Sequence, residues 1–406
     1  MSSLFGLTLG LAGSPLCAQD ITRTTAIDDL PRPGYEPRTI RTGGFVIMPL
    51  LVSGVKFDNN ILASDLNRKS DVIFQVEPSI EVRRRSASSN FYGRTYATLQ
   101  RYAENTRENT TQFGAELSYR QFSSQRDAFS ARASFDRAFE RRGDPEAIFA
   151  ANRRVALINT ASGDLEYSHQ GSRLGVTASI GATKINYLSP ADSDRDMTTY
   201  RAALRGSLNL TQRFAVFIQP YVNRRDPSMK SDRFMNVDRT TTTYGVLGGV
   251  AVEVADRLTG ELGVGVLHAN PKDLNLAPFT GLAASGRVTW RPRTRTAISA
   301  NLFRGDVATI RSGAIGRIDT RFNLGIDQEA RHNVILRGSV GLRSVSYRGD
   351  FDGSQRYYDV DASARYLLNR QAWIELSGTH VKRTSTALPA EEFRKWQAFL
   401  KVGLTY

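Results

Sequence analysis

The chain ends on Phe393-Arg-Lys-Trp396-Gln-Ala-Phe-Leu400-Lys-Val402-Gly-Leu404-Thr-Tyr406. Counted back in twos, Tyr406, Leu404, Val402, Leu400, Ala398 and Trp396 fall on one side. Thr405, Gly403, Lys401, Phe399, Gln397 and Lys395 fall on the other. Successive side chains of a strand point to opposite faces, so this is a strand with one apolar and one mostly polar face. The edge of a soluble sheet gives this pattern. So does the last strand of a barrel, which must pair with the first to leave no open edge.

The same two-residue period fills the chain upstream. A first strand near 45–58 sets Phe45, Ile47, Leu51, Val55 and Phe57 on one parity. A second near 71–84 alternates Val72, Phe74, Val76, Pro78, Ile80 and Val82 with Gln75, Glu77, Ser79, Glu81 and Arg83. Further strands are predicted near 90–103, 111–123, 128–140, 154–168, 173–187, 197–210, 213–225, 240–255, 257–270 and 278–291. The series ends with 294–306, 314–327, 332–348, 356–368, 371–383 and 393–406. That makes about 18 strands, longer than the 5–6 residues usual in soluble sheets. Their connections alternate between tight turns such as Gln170-Gly-Ser172 and longer loops such as 58–70 and 143–153. The expected fold is therefore all-β: a single closed antiparallel transmembrane β-barrel with short periplasmic turns and longer outer loops.

Composition agrees. Charged residues are 23 % and hydrophobic ones 40 %, with a mean hydropathy of −0.34. Only every second residue of a barrel strand meets lipid, so its average stays polar. No stretch after the N-terminus reaches the roughly 18 apolar residues of a membrane helix. The net charge of +14 suits a polyanion: acidic polysaccharide or lipopolysaccharide phosphate. Nucleic acid is excluded by compartment, because residues 1–18 read as a secretory signal peptide cut after Ala18. The lone cysteine, Cys17, would leave with it. Residues 19–43, with Pro31, Pro33, Gly34 and Pro37, read as a flexible periplasmic arm, and 44–406 as the barrel.

If the apolar parity faces lipid, the other lines the lumen. It carries Arg201, Arg205, Arg287, Arg317, Arg321, Arg337, Arg343, Arg365, Lys395 and Lys401, interleaved with acids such as Glu261, Asp319 and Glu375. Two readings stand side by side. Rings of Arg and Lys select anions in pores; alternatively, Arg and carboxylates brace neighbouring strands. No connection clearly exceeds a dozen residues, short for a loop that narrows a pore. Either the arm partly plugs the lumen or the pore serves something larger. Tyr92, Tyr96, Tyr102, Tyr200, Trp290, Tyr347, Tyr358, Trp373 and Trp396 are expected in interfacial girdles. Gly245, Gly248, Gly249, Gly263 and Gly265 lie inside strands and mark bends or close strand contacts. No catalytic, metal or cofactor site is expected. The four histidines, His169, His268, His332 and His380, lie far apart in sequence, and a hydrolytic pairing of His380 with Ser377 or Ser385 is weaker than a surface role.

Two resemblances follow. Trp396, Leu400, Val402, Leu404 and Tyr406 are similar to the C-terminal recognition signal of bacterial outer-membrane barrels, which implies the barrel assembly machinery as a partner. The phrase Phe57-Asp58-Asn59-Asn60, with Pro78-Ser79 in the next strand, resembles the second of the putative beta-barrel porin families of proteobacteria, with Asn59 where Asp is commoner. That resemblance implies an outer-membrane channel of a Gram-negative bacterium, in lipid and lipopolysaccharide, working as a monomer. It also implies export of an anionic exopolysaccharide handed over by a periplasmic polysaccharide export protein. The rivals are a general or sugar-specific diffusion porin and a structural or adhesive barrel without transport.

Overall fold

The computed structural model describes residues 27, 30–147, 154–229, 238–255, 257–309, 314–349, 353–386 and 391–406. The predicted signal peptide, 1–18, and most of the predicted arm's first residues, 19–29, lie outside them. The chain order is β1 (Ile40–Thr42), β2 (Phe45–Asp58), β3 (Asp71–Arg85), β4 (Ser89–Tyr102), β5 (Thr110–Phe122) and β6 (Asp127–Phe139). Next come β7 (Leu157–Gln170), β8 (Leu174–Tyr187), β9 (Met197–Asn209), β10 (Phe214–Pro227), β11 (Thr241–Val254), β12 (Leu258–Pro271) and β13 (Phe279–Arg293). The last are β14 (Thr296–Val307), β15 (Ala314–Arg331), β16 (Val334–Gly349), β17 (Ser354–Leu367), β18 (Ala372–Ser385) and β19 (Phe393–Thr405). Each of β2 to β19 pairs antiparallel with its chain neighbours, and β19 pairs with β2 from Gln397↔Asp58 to Thr405↔Leu50. The result is a closed ring of 18 strands. Strand β1 is an addition the sequence reading left inside the arm. It folds back on β2 through Gly43 and Gly44, both at positive φ, as a two-residue hairpin turn requires.

The two faces follow the period-2 pattern. Large apolar side chains stand exposed around the outside, including Phe74, Leu117, Ile180, Leu204, Leu282, Val360 and Leu400. In a soluble protein such a belt would be covered; its height and continuity suit lipid. No helix among the described residues is long and apolar enough to cross a membrane. Tight turns at one end are tied by short side chains. Thr211 Oγ1 accepts from the N–H groups of Arg213 and Phe214 at 3.1 Å. Asn369 Oδ1 does the same for Gln371 and Ala372. These Asx- and ST-turns satisfy backbone donors that a two-to-four-residue turn leaves unpaired.

The girdle expectation needs correction. Tyr200, Trp290, Tyr358 and Trp396 are exposed on the outer face. Tyr96 and Trp373 turn into the lumen. Tyr96 donates to Asp136 Oδ1 across β5, and Trp373 is buried under Arg365, 4.1 Å above its ring. Tyr347 is buried too. Inner-face glycines make room for such rings. A Cβ on Gly245 would overlap the Tyr221 ring, and one on Gly249 or Gly263 would press on the Phe217 ring.

One seam is incomplete. The β13–β14 ladder begins only at Ala284↔Arg304, although β12 pairs with β13 out to Phe279 and β15 with β14 out to Val307. Beyond that point the β14–β15 hairpin leaves the wall and leans inward. Its outer-facing side chains then meet the inner wall. Asp306 bonds Arg225 of β10 and, at 2.6 Å, Thr243 of β11. Ile318 is buried with Leu247, Leu267 and Ala283.

Candidate functional site

The lumen is narrowed at both ends, and the long-loop end is built around residues 140–147 of the β6–β7 connection. That connection is longer than the sequence reading allowed, and its residues 140–147 fold inward. It leaves between β6 and β7 and reaches β15 and β16, half-way round the ring. There Arg317 Nη1 donates to Glu146 Oε1 at 2.5 Å, joined by Thr309 Oγ1 at 3.1 Å. Tyr347 donates its hydroxyl to the Pro145 carbonyl at 3.1 Å. Arg383 of β18 reaches the carbonyls of Gly143 and Asp144, each at 3.4 Å. On the near side Arg195 bonds Glu140 at 3.0 Å and the Glu146 carbonyl at 3.0 Å. Arg142 bonds Glu108 at 2.8 Å. Arg195, Arg317 and Arg383 are all buried. A guanidinium taken from water is tolerated only when paired and hydrogen-bonded, and here loop 140–147 supplies the partners.

The tight-turn end is narrowed by the arm. Pro33 and Gly34, the latter at φ +86°, form a type II turn closed by Tyr35 N–H to the Arg32 carbonyl at 2.8 Å. The turn presents Arg32 to Glu329 of β15 at 3.1 Å and packs Tyr35 against Val52, Ile335, Leu367 and Trp373 on the inner wall. Arg370 donates to the Glu36 carbonyl at 3.1 Å.

The predicted lumen cations all lie on inward parity, and nine of the ten sit in ion pairs. Arg201 meets Asp164 at 2.9 Å and Arg205 meets Glu261 at 2.9 Å. Arg317 holds Glu146, while Arg321 and Arg343 share Asp319, each at 2.6 Å. Glu375 gathers Arg337 at 3.7 Å, Arg365 at 2.6 Å and Lys401 at 2.9 Å. Lys395 meets Asp58 at 3.0 Å. Arg287 donates instead to Asn301 at 3.3 Å. The arrangement matches strand-to-strand bracing more closely than a row of uncompensated charge.

The quoted motif works at the closing seam. Asp58 accepts from Gln397 Nε2 at 2.6 Å, besides its pair with Lys395. Asn59 exchanges two bonds with Trp396: N–H to carbonyl at 3.2 Å, and Trp396 N–H to Asn59 Oδ1 at 2.8 Å. Asn60, fully buried, donates to the Arg394 carbonyl at 3.1 Å. Phe57 packs on the Trp396 ring, centroids 5.1 Å apart. The ladder between β19 and β2 stops at Gln397↔Asp58, and these side chains continue it. Pro78, lacking an N–H, falls in the gap where β3 and β4 miss pairs between Val76↔Leu99 and Ser79↔Tyr96. Trp396, Leu400, Val402, Leu404 and Tyr406 stand exposed on the outer face; Tyr406 lies one residue past the strand.

The pairing of His380 with Ser377 or Ser385 finds no geometry. His380 is on the outer face of β18, opposite in parity to Ser377 and Ser385. Among the described residues no group of His, Cys, Asp and Glu could hold a metal ion.

A closed antiparallel ring with an apolar belt outside, a charged lumen and an inward-folded loop defines a porin-type β-barrel. The chain belongs to the family described as putative beta-barrel porin 2, whose model matches residues 32–406. Three solved structures illustrate what the chain is similar to. The FrpB iron transporter of Neisseria meningitidis (F3-3 variant) has 13 % identity and a TM-score of 0.44, with 83 % of this chain and 62 % of that one covered. A mutant form of the ferric enterobactin receptor PfeA of Pseudomonas aeruginosa has 7 % identity and a TM-score of 0.45, covering 89 % and 80 %. The copper transporter OprC has 12 % identity and a TM-score of 0.43, covering 86 % and 63 %. The chain thus spans less than two-thirds of the length of FrpB (F3-3) and of OprC. No curated protein matches the sequence.

Proposed function

We propose that this protein is a gated outer-membrane channel that passes an anionic exopolysaccharide outward, receiving it from a periplasmic export partner. The observation that carries this reading is loop 140–147, pinned across the ring by the buried Arg317–Glu146 pair and held on its near side by Arg195–Glu140. An 18-strand ring is wide enough for an aqueous channel. A polymer-sized hole left open would leak, so an exporter needs a closed resting state. The arm in the opposite mouth and the inward hairpin add to that closure. The net charge of +14 favours an acidic polymer over a neutral one.

The inward loop also favours a second reading, because diffusion porins narrow their pores this way. Basal conductance separates the two. In planar bilayers the exporter shows little current at rest, a modest rise when loop 140–147 is released, and a large anion-preferring conductance blocked by acidic oligosaccharide once the arm is removed as well. Steady open-channel current in the untreated protein, unaffected by acidic oligosaccharide, would sink the export reading and leave the porin. In cells, loss of the gene should abolish surface polymer and leave periplasmic polymer behind.

A further inference from the structure

Beneath the leaning β14–β15 hairpin lies a lumenal hollow reaching from β8 across to β14. Two kinds of side chain line it. The rings of Tyr221 and Phe303 give it flat apolar walls. Thr199, Gln219, Asn223 and Ser285 face it from β9, β10 and β13, and none of the four has a hydrogen-bond partner among the described residues. Gln219 is the telling one, at 3 % exposure. Its amide opens on the hollow, and with the half-buried Thr199, Asn223 and Ser285 beside it the four side chains form a set of donors and acceptors free for a ligand.

The lining decides the ligand's chemistry. An acyl chain would fill the space and leave the amides and hydroxyls unmet. A simple anion would have no use for the two rings. The arginines in the wall are already engaged: Arg201 with Asp164, Arg225 with Asp306 and Arg304 with Thr320. A ring with a hydroxyl-studded rim and C–H faces meets both halves, its hydroxyls bonding the amides and its faces lying on the aromatics. We infer that this hollow is a binding subsite for a neutral sugar unit, covered by the β14–β15 hairpin and reached when Asp306 releases Arg225 and Thr243. It rests on the reading of the barrel as a saccharide channel and adds where a neutral unit of the chain is held.

The test uses the full barrel in detergent, with maltopentaose as neutral probe and a galacturonate pentamer as acidic probe, followed by calorimetry. The Asp306→Ala, Arg225→Gln variant, with its hairpin freed and no unpaired arginine left in the hollow, binds maltopentaose. Adding Gln219→Leu, which keeps the side-chain size, weakens that binding roughly tenfold. Because Leu keeps the side-chain size and breaks no hydrogen bond among the described residues of the folded barrel, the Gln219→Leu barrel should resist heat as well as the parent, so lost binding is not lost folding. Unchanged affinity once Gln219→Leu is added, or binding of the galacturonate pentamer alone by this charge-balanced variant, overturns the subsite. Export of polymer by cells carrying the wild-type gene is scored separately. A barrel that binds maltopentaose through Gln219 while polymer export persists without the gene would keep the subsite and defeat the export reading.

Discussion

Single side chains set the state of the long-loop end. Glu146 is the loop's anchor on the far wall, and its partner Arg317 is 1 % exposed. Breaking one side of a buried pair costs about 3–5 kcal/mol, because the other charge stays buried without its partner. At the lower end, Glu146→Gln shifts the closed-to-open ratio of loop 140–147 by roughly a hundredfold. Trypsin cleavage after Arg141 or Arg142 in intact vesicles should speed up accordingly; an unchanged rate would mean the loop is held elsewhere. Glu140 works in the opposite sense. Burial pushes its carboxyl above the ordinary 4.5, against the pull of Arg195 and with Asp144 and Asp192 adding to the rise. The buried, closed loop therefore binds a proton more tightly than an open, solvated one, and the state with the higher pKa gains as pH falls. Acidification from above that raised value down to 4.5 should strengthen closure and lower conductance. Glu140→Gln should remove that step and leave a current independent of pH in this window.

Elements show where local pattern suffices and where it fails. Strand existence, parity and the closing partner of the last strand were legible, because alternation is a property of neighbouring residues. Tyr96, Tyr347 and Trp373 were misplaced because residue type was weighed above parity. Loop 140–147 and the β14–β15 hairpin were illegible for another reason. Their positions depend on Glu146 meeting Arg317 and Asp306 meeting Arg225, contacts between residues far apart in the chain that no local period encodes. The hairpin gives the sharpest element-scale expectation. If it swung back into the wall, the existing register would place Gly305 opposite Ala283. A disulfide needs Cα atoms within about 7 Å, so an Ala283→Cys, Gly305→Cys pair reports the swing. Oxidation should be slow in that pair alone and faster once Asp306→Ala is added. Equal rates would mean that Asp306 does not hold the hairpin inward. At the seam, Asp58→Ala takes a carboxylate from both Lys395 and Gln397. The expected result is a barrel that loses its heat-modifiable, folded band on gels at a lower temperature.

For the whole molecule, the closed ring matters first and the two mouths second. In lipid every backbone N–H and C=O must pair within the protein, so β19 has to find β2 before the barrel is stable. The mouths then act in series. Loop 140–147 narrows one end, and the Arg32–Tyr35 turn, fixed to Glu329 and the Trp373 cluster, narrows the other. Resistances in series add, and the larger one dominates the sum. Removing a single constriction therefore leaves the current limited by the one that remains, whereas removing both lets the full lumen conduct. Deleting residues 141–147, or residues 30–38, should each raise single-channel conductance modestly, and the double deletion should exceed the sum of the two gains. Full conductance from the loop deletion alone would show that the arm leaves the lumen open, and that gating rests on the long-loop end.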